Sequence, residues 1–277
     1  MMKRILPICT LFLLAGFLYS CNDTFEPLEE NTKYVYSIYG TLDVHADTQW
    51  VRVMPIGDRL FNDNPVHDGT IVTLTHLPSG NVTQLKDSMF VFAGPSYVWN
   101  YYTTEQLIPG NPYELKATAT DGRFSYTRVV TAEELPLPRI DFDRSTDRGF
   151  VEGSNSQKLV VAVVKFWVQW IDDFGNWTDE ETHAYSVLNT AFINQYTNVY
   201  RFQFDTRTLL TRSMGIPFSR IRLNKVELQV GSGLTSWPSY AGLSDEESIM
   251  PDVITNITDG TGYIATVASH KIIIPHR

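Results

Sequence analysis

Five oxygen-bearing side chains, Asp141, Asp143, Ser145, Asp147 and Glu152, stand at the first, third, fifth, seventh and twelfth positions of a calcium-loop spacing. Ligands in that order can wrap a hard cation. The same segment also argues against the ion: Thr146 occupies the place where such a loop needs glycine, and Arg144 and Arg148 offset part of the negative charge. A solvated linker between domains accounts for Asp141, Asp143, Asp147 and Glu152 better than a metal site, and no cofactor is expected. The histidines (His45, His67, His76, His183, His270, His276) are scattered, with no H-x-H or H-E-x-x-H spacing to hold zinc. His76, beside Pro78, reads as a surface turn residue. Asp173-Phe174-Gly175 lacks the other kinase motifs, so Asp172 to Asn176 reads as a turn. There is no G-x-S-x-G elbow, phosphate-binding glycine loop or dinucleotide fingerprint. Paired carboxylates for glycoside hydrolysis are defined by spatial separation, which spacing along the chain does not reveal. No such pair stands out, so the catalytic set is empty. Of the tryptophans, Trp167, Trp177 and Trp237 are expected to be partly exposed and are the candidates for ligand or partner contact. Packing in the core or at an interface is the favoured role over ligand stacking, because pleated sheets favour aromatics.

The elements that would position these residues are strands. Tyr34, Tyr36, Ile38, Leu42 and Val44 alternate with Ser37, Thr41 and Asp43, the period of a half-buried strand. Similar runs follow at residues 50–54 and 70–76. Pro78-Ser79-Gly80 marks a turn, and Asp121-Gly122 marks a hairpin. Leu159 to Ile171 is the strongest strand. Val160, Ala162, Val164, Phe166, Val168 and Trp170 form its apolar face, with Lys165 and Gln169 flanking Trp167 on the other. Residues 200–205 and 226–230 also alternate, residues 206–214 suit one short helix ended by Gly215, and a last strand covers 263–274. Leu135-Pro136-Leu137-Pro138 cannot donate ladder hydrogen bonds at its prolines and is the expected boundary. The pattern predicts a mainly all-β protein of two β-sandwich-like domains, residues 34–138 and 139–277, with at most one short helix in the second. Charged and polar residues interrupt most of the faces that a membrane barrel would turn to lipid.

Of 277 residues, 43% are hydrophobic and 19% charged, enough apolar material for a packed core. A formal net charge of −9 makes nucleic acid an unsuitable partner. Lys3 and Arg4 precede an apolar run from Ile5 to Leu18 that is too short to span a membrane, which is the build of a secretory signal over residues 1–20. Leu18-Tyr19-Ser20-Cys21 resembles the lipobox of bacterial lipoproteins, which implies cleavage before Cys21 and lipid attachment to its thiol. Ordinary secretory cleavage near Ser20 is the alternative. The other cysteine, Cys9, lies within the signal, so the mature chain has no disulfide. Several acyl chains anchor a protein far more firmly than one. Residues 21–33, with Asp23, Glu26, Glu29 and Glu30, read as an acidic tether.

Residues 255–263, Thr-Asn-Ile-Thr-Asp-Gly-Thr-Gly-Tyr, resemble the Asn-Ile, Gly, Gly, aromatic run of a family of outer-membrane lipoproteins of unknown function. Residues 72–74, the run from Leu107 to Leu115 and Asp121-Gly122 are similar to that family's N-terminal half. Its members are commonly encoded beside TonB-dependent nutrient receptors. The resemblance implies an outer-membrane, lipid-anchored accessory or binding protein without catalytic residues, partnered by such a receptor or the solute it imports. A surface hydrolase of glycans or peptides with unrecognised carboxylates, or a passive spacer or adhesin, is the alternative.

Overall fold

The computed structural model describes residues 34–56, 67–92, 96–154, 158–194, 197–234 and 255–274. The expected signal, Cys21 and the expected tether lie outside them. The described chain is mainly β, as its alternation predicts. In order come β1 (Tyr36–Asp43), β2 (Gln49–Pro55), β3 (Ile71–His76), β4 (Asn81–Gln84), β5 (Lys86–Phe92), β6 (Ser96–Thr103), β7 (Pro112–Thr118) and β8 (Phe124–Val130). The second half continues with β9 (Arg139–Asp143), β10 (Arg148–Gly153), β11 (Lys158–Trp170), β12 (Glu181–Ser186), β13 (Phe192–Asn194), β14 (Val199–Asp205), β15 (Ile221–Gly233) and β16 (Gly260–Ile274). Among the described residues one α-helix, α1 (Thr206–Met214), follows β14. Asp205 accepts the Thr208 amide at 2.9 Å at its start, and Gly215 ends it in the left-handed region at φ 66.

Three sheets result. An eight-stranded sheet runs β12-β11-β15-β16-β1-β2-β6-β5, and two four-stranded sheets run β4-β3-β7-β8 and β13-β14-β10-β9. The sandwich character follows from the burial of alternate residues. Ile38, Val51, Val53 and Tyr101 of the large sheet and Val72, Leu74, Tyr113 and Leu115 of a small one belong to one hydrophobic cluster. Ala162, Val164, Phe166 and Val168 of β11 join it with Tyr200, Phe202 and Phe204 of β14. A fully buried side chain of this size contributes about 1.5–3 kcal/mol, so each face is a major source of stability.

The large sheet crosses the boundary expected at Pro136 to Ile140. Strand β16 pairs in parallel with β1 from Gly260 to Val267 and antiparallel with β15 from Val267 to Ile274. One strand thus belongs to both halves, which form two lobes of a continuous sheet. Gly262 makes the first pairing possible: its φ is +103, and a Cβ there would lie 2.1 Å from the Ile38 carbonyl oxygen. The expected linker at 141–152 is instead a hairpin, with Asp141 opposite Phe150 and Glu152 opposite Arg139. In β11 a register shift between Leu159 and Val161 turns Leu159 inward, at 4% exposure, and leaves Val160 only partly buried.

Candidate binding surface

The carboxylates of the calcium spacing are each engaged separately. Asp143 accepts from the Ser145 amide at 2.9 Å, the Ser145 hydroxyl at 2.7 Å and the Thr146 hydroxyl at 2.7 Å, which hold its carboxyl at about 2. Asp141 pairs with Arg139 at 3.0 Å, Asp147 with Arg207 at 2.7 Å and Glu152 with Arg201 at 2.6 Å. Among the described residues no three His, Cys, Asp or Glu side chains converge as a metal-holding group. Asp172 to Asn176 is the expected turn: Asp172 accepts the Phe174 and Asn176 amides at 2.9 and 2.8 Å, and Gly175 has φ 85. His76 ends β3 and contacts the Ser79 hydroxyl at 2.8 Å.

Of the tryptophans singled out from the sequence, Trp237 lies outside the described residues. Trp167 faces outward on β11, and its register partner on β15 is Lys225, whose Nζ sits 4.0 Å from the ring centroid. Trp177, 42% exposed, has the Arg222 guanidinium 4.1 Å from its ring. Both rings therefore meet a cation of their own chain.

A different aromatic surface is open. On the outer face of the first lobe, Tyr39 of β1, Trp50 of β2 and Phe90 of β5 are 52%, 43% and 48% exposed. Trp50 stacks on its register partner Tyr102 at 4.7 Å and meets Phe90 edge-on at 6.1 Å. Such offset and T-shaped contacts fix the indole without burying it. Tyr39, Trp50, Arg52 and Asn100 line a recess of about 270 Å³ on this face. Trp50 also borders a larger cleft of about 590 Å³ at the end of the β1–β2 hairpin, lined by Asp43, His45, Asp47, Thr48, His270 and Lys271 among others.

The wall of that cleft is tightly built. Gln49, 1% exposed, accepts the Asp43 amide at 2.8 Å and donates to the Asp43 and Ala46 carbonyls at 2.8 and 3.2 Å. It closes the hairpin as a backbone substitute. Asp43 also accepts the His45 and Ser269 amides, each at 3.0 Å, and the Ser269 hydroxyl. His45 and His270 stack with ring centroids 4.3 Å apart. His45 contacts Glu134 at 2.9 Å, and His270 contacts the Leu135 carbonyl, joining the interlobe segment to β16. The Ser269 hydroxyl donates to Asp43 rather than to an imidazole, so this group fastens strands and is not arranged as a nucleophile with its base. Sequence spacing missed it because its members come from both ends of the chain. The signal available was the Trp50 run itself, an aromatic on the polar side of an alternating strand.

No protein-family model matches the chain, and no curated protein matches it. Among solved structures, pullulanase from Anoxybacillus sp. LM18-11 aligns with 72% of this chain and 24% of its own, at 8% identity and a TM-score of 0.24. The structure of that enzyme complexed with maltotriose aligns over the same shares at 9% identity and a TM-score of 0.24. The chain spans about a quarter of the length of these structures, and a likeness at that level carries no argument about fold or activity.

Proposed function

We propose that this protein is a lipid-anchored accessory protein of the bacterial outer membrane, binding a TonB-dependent receptor or the solute it imports and catalysing no reaction of its own. The observation that carries the binding reading is the aromatic face of Tyr39, Trp50 and Phe90, exposed on a rigid sheet. Exposed aromatics clustered in this way are the usual anchors of recognition. The anchor rests on the lipobox-like Leu18 to Cys21, and the receptor on the resemblance of residues 255–263. A tether of residues 21–33 would hold the domain within roughly 20 Å of the membrane, given about 5–6 Å times the square root of its length. Confinement at that distance raises effective concentration, so a weak interface suffices.

Mass spectrometry of protein from its native host tests the anchor: the mature chain is expected to begin at Cys21 and to carry acyl mass, and an unmodified soluble chain sinks it. Affinity capture from gently solubilised membranes tests the partner. Reproducible recovery of a receptor, lost with Trp50→Ala, supports the reading. Recovery of none, together with turnover of a glycan or peptide by the purified protein, replaces it with the hydrolase.

A further inference from the structure

We infer that Trp50 and the cleft beside it form a binding site for a neutral saccharide chain. The inference deepens the binding reading above and rests on it only in taking the Trp50 face as a contact surface. Three features of the site select this class of ligand.

The first is a partly exposed indole, 43% accessible and in contact with Tyr102 and Phe90. A pyranose ring presents C–H bonds on one face, which pack on the electron-rich face of an aromatic ring. The second is concavity. The cleft of about 590 Å³ lies within the range of small-molecule sites, and the recess of about 270 Å³ on the other side of Trp50 extends it along the sheet. A chain of sugar rings fits such a pair of hollows separated by one aromatic.

The third is the mixed sign of the lining. Asp47 and Lys271 are exposed in the cleft, with Thr48 between the acid and Trp50 in sequence, and Arg52 and Asn100 line the recess. A sugar hydroxyl both donates and accepts, so it satisfies carboxylate, ammonium and amide groups together. An anionic ligand would meet Asp47, and a cationic one Lys271 and Arg52. A protein partner would leave Asp47 and Lys271 at the centre of an interface, where aspartate and lysine are depleted. The floor is preorganised as well: Gln49, Asp43 and Ser269 are committed to hydrogen bonds that hold the hairpin against β16.

The test titrates the purified full chain with maltohexaose, cellohexaose, xylohexaose, laminarihexaose and mannohexaose, following tryptophan fluorescence and calorimetry. Hexagalacturonate and a chitosan hexamer serve as charged counterparts. At least one neutral hexasaccharide is expected to bind, with affinity lowered roughly tenfold or more by Trp50→Ala, as for other aromatic anchors. Trp50→Phe should retain part of the affinity, and Trp167→Ala all of it. Circular dichroism melts confirm that the variants are folded. No binding of any neutral oligomer at millimolar concentration overturns the inference, as does binding unaffected by Trp50→Ala or stronger for a charged oligomer. Receptor capture that depends on Trp50 without saccharide binding would assign the face to a protein partner. Saccharide binding without receptor capture would retain this site and remove the receptor.

Discussion

Trp50 and Trp167 both lie on outward faces of the same eight-stranded sheet, one in each lobe, and each has a different residue opposite it in the ladder. The cross-strand partner of Trp50 is Tyr102, and that of Trp167 is Lys225. An aromatic partner stacks against the indole and leaves surface free, whereas a lysine four methylenes long lays its ammonium over the ring, 4.0 Å from the centroid. Trp177, with Arg222 at 4.1 Å, repeats the second pattern. What lies against the ring of a tryptophan on a strand therefore depends on the residue opposite it in the ladder as well as on the alternation of its own strand. In the first lobe Trp50 meets aromatic rings of its own chain, whereas in the second Trp167 and Trp177 each meet a cation.

The harshest way to break this contrast is to separate the lobes. Gly262→Ala forces a Cβ to within 2.1 Å of the Ile38 carbonyl oxygen at a φ of +103. A loss of about 3 kcal/mol is expected, read by chemical denaturation, with the β1–β16 ladder as the injured part. A near-native midpoint would show that β16 relaxes freely there. Next in size is Gln49→Ala, which takes the side-chain partner from the Asp43 amide and the Ala46 carbonyl beside the Trp50 cleft, while the Asp43 carbonyl keeps the Ala46 amide, and should cost about 2 kcal/mol. An unchanged stability would mean that water replaces the amide.

Smaller effects sharpen the contrast directly. Lys225→Ala uncovers Trp167 and should cost about 1 kcal/mol while making that indole more accessible to acrylamide quenching. The reciprocal Tyr102→Lys places a cation opposite Trp50 and should reduce its quenching. Equal quenching in both variants would refute the role given to the register partner. The least effect is at Asp143 in the second lobe. Its folded carboxyl is held at about 2, so its contribution is complete above the ordinary carboxylate range and disappears as pH falls through about 2. An NMR titration of Asp143 with a midpoint in the ordinary range would contradict those bonds.

Local features of the fold were legible in the sequence wherever a short stretch supplies its own partners. The helix at 206–214 begins at an aspartate and ends at a glycine, and both act within one turn. The turn at 172–176 is closed by its own first aspartate. The buried face of β11 follows from period two until the bulge at Leu159 interrupts it, an interruption with no mark in the composition of the strand. The calcium spacing shows the converse, since side chains at ligand-like intervals became the two strands of a hairpin and bonded to Arg139, Arg201 and Arg207 instead. The candidate site was least legible, because alternation exposed Trp50 and Trp167 alike and the deciding partners, Tyr102 and Lys225, are remote from them along the chain.

By itself the sequence determined that the described chain is mainly β, where its strongest strands and the helix at 206–214 lie, and which faces are apolar. These properties depend on side-chain period and on caps within a few residues, which are local. Only the tertiary structure decided that β16 serves both lobes, that His45 meets His270, and that Trp50 lies against Tyr102 and Phe90. Each of these is a pairing between distant segments, and the register of a sheet is selected by burial summed over the whole molecule rather than by any residue in the strand.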